Sequence, residues 1–267
     1  MLLWQTSQTI NFAQGEFVML PAFFVLAAMK FGGLSFPAAL LVGFAVAALV
    51  LGLLFKRLLV DPILRHGVLP LVISTLGLAI LMKEGVKEFY AAEAQSFPGM
   101  WPEANLSIGG AVISAQSLVI IGVALAAVAL LQYFLGATRT GRQMQATAQN
   151  PLLARVLGIP VERMILYTFL VNAALVALAS FLVSPIYLAK FTNGEILGLA
   201  AFVAAIVGGF NQVRGAIAGG LLIGVVDNLA AAYVSTQYRA AVPMMLLIVI
   251  ILFRPQGLLG RPEERTV

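Results

Sequence analysis

Eight apolar runs, near residues 17–31, 36–55, 68–83, 114–136, 164–188, 196–210, 215–234 and 240–253, recur along a 267-residue chain in which only 10% of residues are charged. About 20 apolar residues cross a bilayer, so most of these runs have the length of a membrane-spanning helix. Lipid offers the backbone no hydrogen-bond partners, and each crossing must satisfy its own peptide groups by winding into a helix. The expectation is an all-α, polytopic transmembrane helix bundle of about seven to eight membrane segments, forming a single domain over residues 1–267. The runs at 17–31, 196–210 and 240–253 are short for a full crossing, and either borrow flanking residues or form half-helices buried in protein.

A soluble globule carries charge on about a quarter of its residues, and a chain that is 61% apolar with mean hydropathy +1.00 lies far from that class. The net charge of +5 does not mark a nucleic-acid surface, because the basic residues are spread over short segments between apolar runs. With zero Cys and one His, the chain offers no disulfide, thiolate metal site or multi-His site. His66, beside Arg65, reads as a solvated loop residue. Met1 to Gln14 lacks the basic-then-apolar order of a cleavable signal peptide, so insertion is expected to rely on the spans themselves.

Orientation follows from the polar segments. If 56–66, 137–163, 211–214 and 254–267 face the cytoplasm, they hold Lys56, Arg57, Arg65, Arg139, Arg142, Arg155, Arg163, Arg214, Arg254, Arg261 and Arg265. Lys30, Lys83, Lys87, Lys190 and Arg239 then lie outside, with the acidic cluster Glu84, Glu88, Glu93 and Glu103. The excess of Lys and Arg on one side is the positive-inside pattern. On this assignment the segment of about 84–113 is an outer loop, whose Phe89, Tyr90, Phe97 and Trp101 form either an interfacial aromatic belt or a docking surface.

The central polar stretch, Thr138 to Arg163, carries its own structural punctuation. Asn150 can cap free helix amides, and Pro151 has no amide to satisfy at the first helical position. Gly158 supplies a left-handed stop and Pro160 forbids resumption, so Pro151 to Leu157 should form two short turns. Two turns are too few to survive alone in water, so this helix is expected to dock on a neighbour.

Gly208, Gly209, Gly215, Gly219, Gly220 and Gly224 concentrate in another stretch, with two small-residue steps, 215–219 and 220–224, that permit close approach of helix backbones. Tight helix packing is expected there. No nucleotide-binding fingerprint accompanies these glycines, so the chain itself is expected to bind no ATP. Asp227 lies twelve residues after Gly215, about 18 Å along a helix at 1.5 Å per residue. It is a possible intramembrane polar site with Asn228, either functional or satisfied by pairing with Asn228 or nearby backbone. Asn11, Phe12, Gln14, Gly15 and Glu16 place polar side chains directly before the first apolar run, which a plain interfacial cap explains equally well. No catalytic constellation, metal-ligand cluster or internal repeat is visible.

Four patches together resemble the membrane permease subunits of ABC importers for branched-chain amino acids. They are Asn11-Phe12-Ala13-Gln14-Gly15-Glu16, the stretch Ala146 to Ile159, the glycine run Gly208 to Asn228, and Phe253-Arg254-Pro255-Gln256-Gly257-Leu258. The resemblance implies that Ala146, Ala148, Asn150, Pro151, Ala154, Arg155, Leu157, Gly158 and Ile159 belong to a cytoplasmic coupling loop, about 137–163, that seats on a separate ATP-binding subunit. It implies a translocation path shared with a second permease subunit, identical or merely similar, in a bacterial inner membrane. Two cytoplasmic ATP-binding subunits would use ATP and Mg, a periplasmic solute-binding protein would deliver solute, and the permease chain would be no enzyme and bind no cofactor, metal or nucleic acid. Membrane lipid is its remaining partner. The chain departs from that pattern in two places: relatives usually carry one more apolar helix before Asn11, and Asn211-Gln212-Val213-Arg214 replaces a small-residue turn followed by Pro. The rival reading is a self-sufficient channel or ion-coupled secondary transporter, which the scarcity of intramembrane ionisable groups disfavours.

Overall fold

The computed structural model describes residues 11–90, 92–99, 105–108, 111–209, 213–234 and 241–260. Apart from one short hairpin the described residues that form regular structure are helical. The helices are α1 (Gln14–Lys30), α2 (Phe36–Leu64), α3 (Val68–Tyr90), α4 (Ala115–Ala137), α5 (Arg139–Gln149), α6 (Pro151–Val156), α7 (Val161–Tyr187), α8 (Asn193–Gly208), α9 (Val213–Tyr233) and α10 (Ala241–Phe253). Five of them, α2, α3, α4, α7 and α9, are long and apolar enough to cross a membrane, and α8 and α10 are shorter apolar helices. The chain separates into two compact units between Gly194 and Glu195.

The apolar runs become helices nearly where hydropathy places them, with two differences. First, α3 continues through Lys83, Glu84, Lys87 and Glu88 to Tyr90, so the segment between α3 and α4 is shorter than its charges suggest. Those charges sit at helical spacing, and Lys87 Nζ lies 3.1 Å from Glu84 Oε2, a pair that supports the last turns. Second, strands β1 (Asn105–Ile108) and β2 (Ala111–Ser114) pair antiparallel after it, with Ser114 then capping α4 through its Oγ, which accepts from Ser117 N at 3.3 Å. Trp101, Pro102 and Glu103 lie outside the described residues, as do Asn211, Gln212, Arg239, Arg261 and Arg265.

In the larger unit α1, α2 and α7 pack on one another. Phe17, Phe55 and Phe169 meet there in a buried aromatic cluster, Phe17 edge-on to Phe55 with centroids 4.8 Å apart. Pro21 interrupts the hydrogen-bond ladder of α1, and next to it Ser180 Oγ of α7 accepts from Ala22 N at 3.1 Å. Neighbouring hydroxyls are the usual means by which a membrane helix tolerates proline.

Within α2, residues Ala48–Val60 are π-helical. The wider turn sets position i+5 beneath position i. Asp61 thereby reaches Lys56, whose Nζ donates to Oδ1 at 2.9 Å and Oδ2 at 2.8 Å. Lys56 is therefore not a solvated loop cation: its side chain is 8% exposed, against 38% for Asp61. The asymmetry predicts unequal mutants. Asp61→Asn strands a buried ammonium and should cost about 3 kcal/mol, whereas Lys56→Met leaves a carboxylate that water reaches and should cost about 1 kcal/mol or less. Thermal midpoints of the purified variants in one detergent measure the order; equal losses would contradict it.

In the smaller unit Val203, Ala204 and Val207 of α8, Ile223 of α9 and Ile250 of α10 form the buried apolar core.

Candidate functional site

The central stretch folds into two helices joined at the extended Asn150, the second of them closed by a left-handed Gly158. Thr138 ends α4 and begins α5: its hydroxyl donates to Phe134 O at 2.6 Å while its Oγ1 accepts from Gly141 N at 3.0 Å. The eleven-residue α5 is polar overall, and sequence reading leaves it as part of a loop. It is held by one face, Gly141, Met144 and Thr147, at three-residue spacing and fully buried. Gly141 is obligatory there, because a Cβ would overlap Phe134 O and stand 2.6 Å from Leu135 Cα. Ala146 and Ala148 flank this face and are partly buried.

Asn150 starts α6. Its Oδ1 accepts from Leu152 N and Leu153 N, both at 3.0 Å, with Pro151 at the first helical position. Gly158, at φ 78°, ends it. Gly158 N donates to Arg155 O at 3.0 Å and Ile159 N to Ala154 O at 2.9 Å, the paired closing bonds of a Schellman stop. Of the helix only Ala154 is buried, turned toward α5 and α7. Leu152, Leu153, Val156 and Leu157 are 72%, 60%, 83% and 77% exposed. Arg155 is tied to Glu162 at 3.0 Å in an exposed pair worth at most about 1 kcal/mol. A six-residue helix and its C-cap residue Leu157 thus present four aliphatic side chains outward, and a polar connection between spans gains nothing by exposing them unless something covers them.

The two C-terminal patches, Gly208 to Asn228 and Phe253 to Leu258, are separate in sequence and meet in space. Gly208 at the end of α8 and Gly215 in the first turn of α9 face each other, and a Cβ on Gly208 would overlap Gly215 O. A Cβ on Gly219 would overlap Ala204 O and lie 2.7 Å from Gly208 N. Gly209, at φ 116°, lets the chain turn against the tail: a Cβ there would stand 2.6 Å from Gly260 N. Leu258 N and Leu259 N donate to Val207 O and Gly208 O at 2.9 and 3.0 Å, so the tail after α10 satisfies the last carbonyls of α8. Gly257 (φ 78°) is part of the same close approach, since its Cβ would fall 2.5 Å from Gly209 Cα. Gly220 and Gly224 are different, because nothing lies within 4 Å of a Cβ on either. They share an open face of α9 with Asn228, whose Nδ2 donates to Gly224 O at 2.8 Å. Asp227 is partly buried beside it.

The first patch ties α1 to three other elements. Gln14 and Asn172 of α7 exchange amide hydrogen bonds, Nε2 to Oδ1 at 3.1 Å and Nδ2 to Oε1 at 3.3 Å. Phe12 N donates to Thr75 Oγ1 of α3 at 3.3 Å, and Asn11 Oδ1 accepts from Ala13 N at 3.0 Å. Glu16 is 6% exposed, its carboxylate packed so closely on Gly194 that no Cβ would fit there. The Glu16 side chain thus lies directly against Gly194 at the start of α8. These long-range partners, Asn172, Thr75 and Gly194, carry no signal in the linear sequence.

Five helices long and apolar enough to cross a membrane point to a multi-pass membrane protein, and α6 adds a capped helix with an exposed aliphatic face. The family described as "Branched-chain amino acid transport system / permease component" matches residues 1–251, and the chain belongs to it. Over 272 aligned residues it is 34% identical to the high-affinity branched-chain amino acid transport system permease protein LivH of Escherichia coli (strain K12), covering 97% of this chain and 88% of that one. It is 33% identical, with the same coverage, to the permease protein BraD of Pseudomonas aeruginosa. A shorter match, 31% identical over 60% of this chain and 47% of the relative, is to the fructose import permease protein FruG of Bifidobacterium longum. No solved structure matches.

Proposed function

We propose that this chain is the membrane-spanning permease subunit of an ATP-driven importer for branched-chain or related amino acids. It shares its translocation path with a second permease subunit, receives solute from a periplasmic binding protein and is driven by two cytoplasmic ATP-binding subunits. ATP and Mg are used on those subunits; this chain does no covalent chemistry. The observation that carries the reading is α6, a capped and stopped short helix whose aliphatic side chains point away from the protein. Seated in a cleft of an ATP-binding subunit, such a helix passes a rigid-body motion to α5 and α7, on which it rests.

The membrane is the bacterial inner membrane. The five long helices are crossings, and α1, α8 and α10 complete the count to seven or eight, making one permease domain of the whole chain. Arg214, exposed at the first turn of α9, belongs by the positive-inside pattern to the cytoplasmic side, where an ATPase surface or lipid phosphate would meet it. Since FruG is by name a fructose permease, the family alone does not fix the solute, and leucine, isoleucine and valine are the first to try.

Topology supplies a direct check, because the chain has no Cys background. Leu152→Cys should react with a membrane-impermeant maleimide only in inverted vesicles, and Glu93→Cys only in intact spheroplasts. Labelling of both from one side would overturn the orientation and the coupling role with it.

A further inference from the structure

The link between α7 and α8 contains the one non-glycine residue of positive φ among the described residues, Leu188, at φ 62° and ψ 160°. That region is almost confined to glycine, and another residue stays there only when its surroundings over-determine it. Burial of the side chain does not explain the choice, since Leu188 is 37% exposed. The surroundings explain how it is held. Asn193 Nδ2 donates to Leu188 O at 2.6 Å. The next residue, Ala189, exchanges both backbone hydrogen bonds with Gln95, each 2.9 Å long. Gln95 is fixed in turn through Nε2, which donates to Tyr90 O at 3.2 Å and to Glu93 O at 3.4 Å. Beyond Asn193, Gly194 is seated on the Glu16 carboxylate, and Lys87 Nζ lies 6.0 Å from the centre of the Phe191 ring.

We propose that residues 188–194 are a strained latch that opens and closes in the transport cycle. Closed, Ala189 is paired with Gln95 and Leu188 is strained; open, the pairing is broken and Leu188 relaxes to negative φ. The strain biases the latch toward opening, while the few hydrogen bonds that hold it are local and can break together. Two discrete arrangements of one short backbone segment are what a gating element requires. The proposal rests on the permease reading for its role in transport, but not for the existence of the two states.

Two variants test it in the full chain, reconstituted with its ATP-binding subunits. Leu188→Gly keeps every hydrogen bond and removes the strain, so the closed state gains about 5- to 30-fold in population. Hydrogen exchange of the Ala189 amide should slow by that factor, and ATP-driven amino-acid uptake should fall several-fold with capture of the ATP-binding subunits unchanged. Equal exchange in Leu188→Gly and wild type would overturn the latch whatever the uptake. The second variant joins the paired positions. Residues that exchange both hydrogen bonds have Cα atoms about 5.5 Å apart, within disulfide reach. Gln95→Cys/Ala189→Cys should therefore cross-link under mild oxidation, lose uptake at least tenfold and regain it in reductant. Uptake by the oxidised pair at the rate of its reduced form would show that the latch stays closed throughout the cycle. Wild-type protein that shows latch exchange but no ATP-driven uptake would sink the permease reading instead.

Discussion

Gly219→Val is expected to collapse the yield of folded, monodisperse permease, while Gly220→Ala, one residue on, is expected to leave it unchanged. Both glycines belong to small-residue steps that look equivalent in the sequence. At 219 the added carbon would overlap Ala204 O and crowd Gly208, which is backbone and cannot rotate away. Relief requires α9 to back off α8, which opens the core of Val203, Val207 and Ile223. Overpacking of a well-fitted core costs about 1–3 kcal/mol, and the upper end applies where the obstacle is main chain. At 220 the space is open, and Ala replaces Gly inside a helix with a gain of up to about 1 kcal/mol. Size-exclusion profiles after a graded heat step, in one detergent, read both effects. Similar profiles for the two variants would mean that the glycine knot is not what holds α8, α9 and the tail together.

Leu152→Glu/Val156→Glu is expected to cost about a hundredfold or more in affinity for the ATP-binding subunits without loss of insertion or thermal stability. The two positions are one turn apart on α6 and almost entirely exposed, so the free permease loses no packing. Glutamate keeps helix propensity, and Asn150 and Gly158 still fix the ends. In the docked state each aliphatic side chain contributes about 1.5–3 kcal/mol when covered, so removing two weakens binding by roughly 3 kcal/mol at least. Arg155→Ala should have little effect by comparison, since its bond to Glu162 is exposed. Titration of detergent-solubilised permease with the purified ATP-binding subunit gives the affinities. Unchanged affinity in the double variant would mean that α6 is not the contact.

Much of this architecture can be read from the chain because it is local. Apolar runs place the helices, and Asn150, Pro151 and Gly158 mark the ends of α6 by their own backbone and side-chain chemistry. What depends on distant partners cannot be read. The polar sequence of α5 hides its buried face until α4 and α7 are present, although Thr138 as cap and the 141, 144, 147 spacing were there to be noticed. The glycines at 208 and 209 and the tail glycine 257 are separate motifs in the sequence and one close approach in the fold. Gln14 gives no hint of Asn172, nor Lys56 of a π-helical turn that brings Asp61 to it. Leu188 is an ordinary leucine until its φ is known.

The most direct test of the coupling role is co-purification of the tagged, membrane-inserted permease with its ATP-binding subunits, comparing wild type with a variant in which Asn150 to Gly158 is replaced by a Gly-Ser linker. The account predicts capture by wild type and its loss in the linker variant, with both proteins equally inserted. Equal capture by the two, or none by well-inserted wild type, would contradict it.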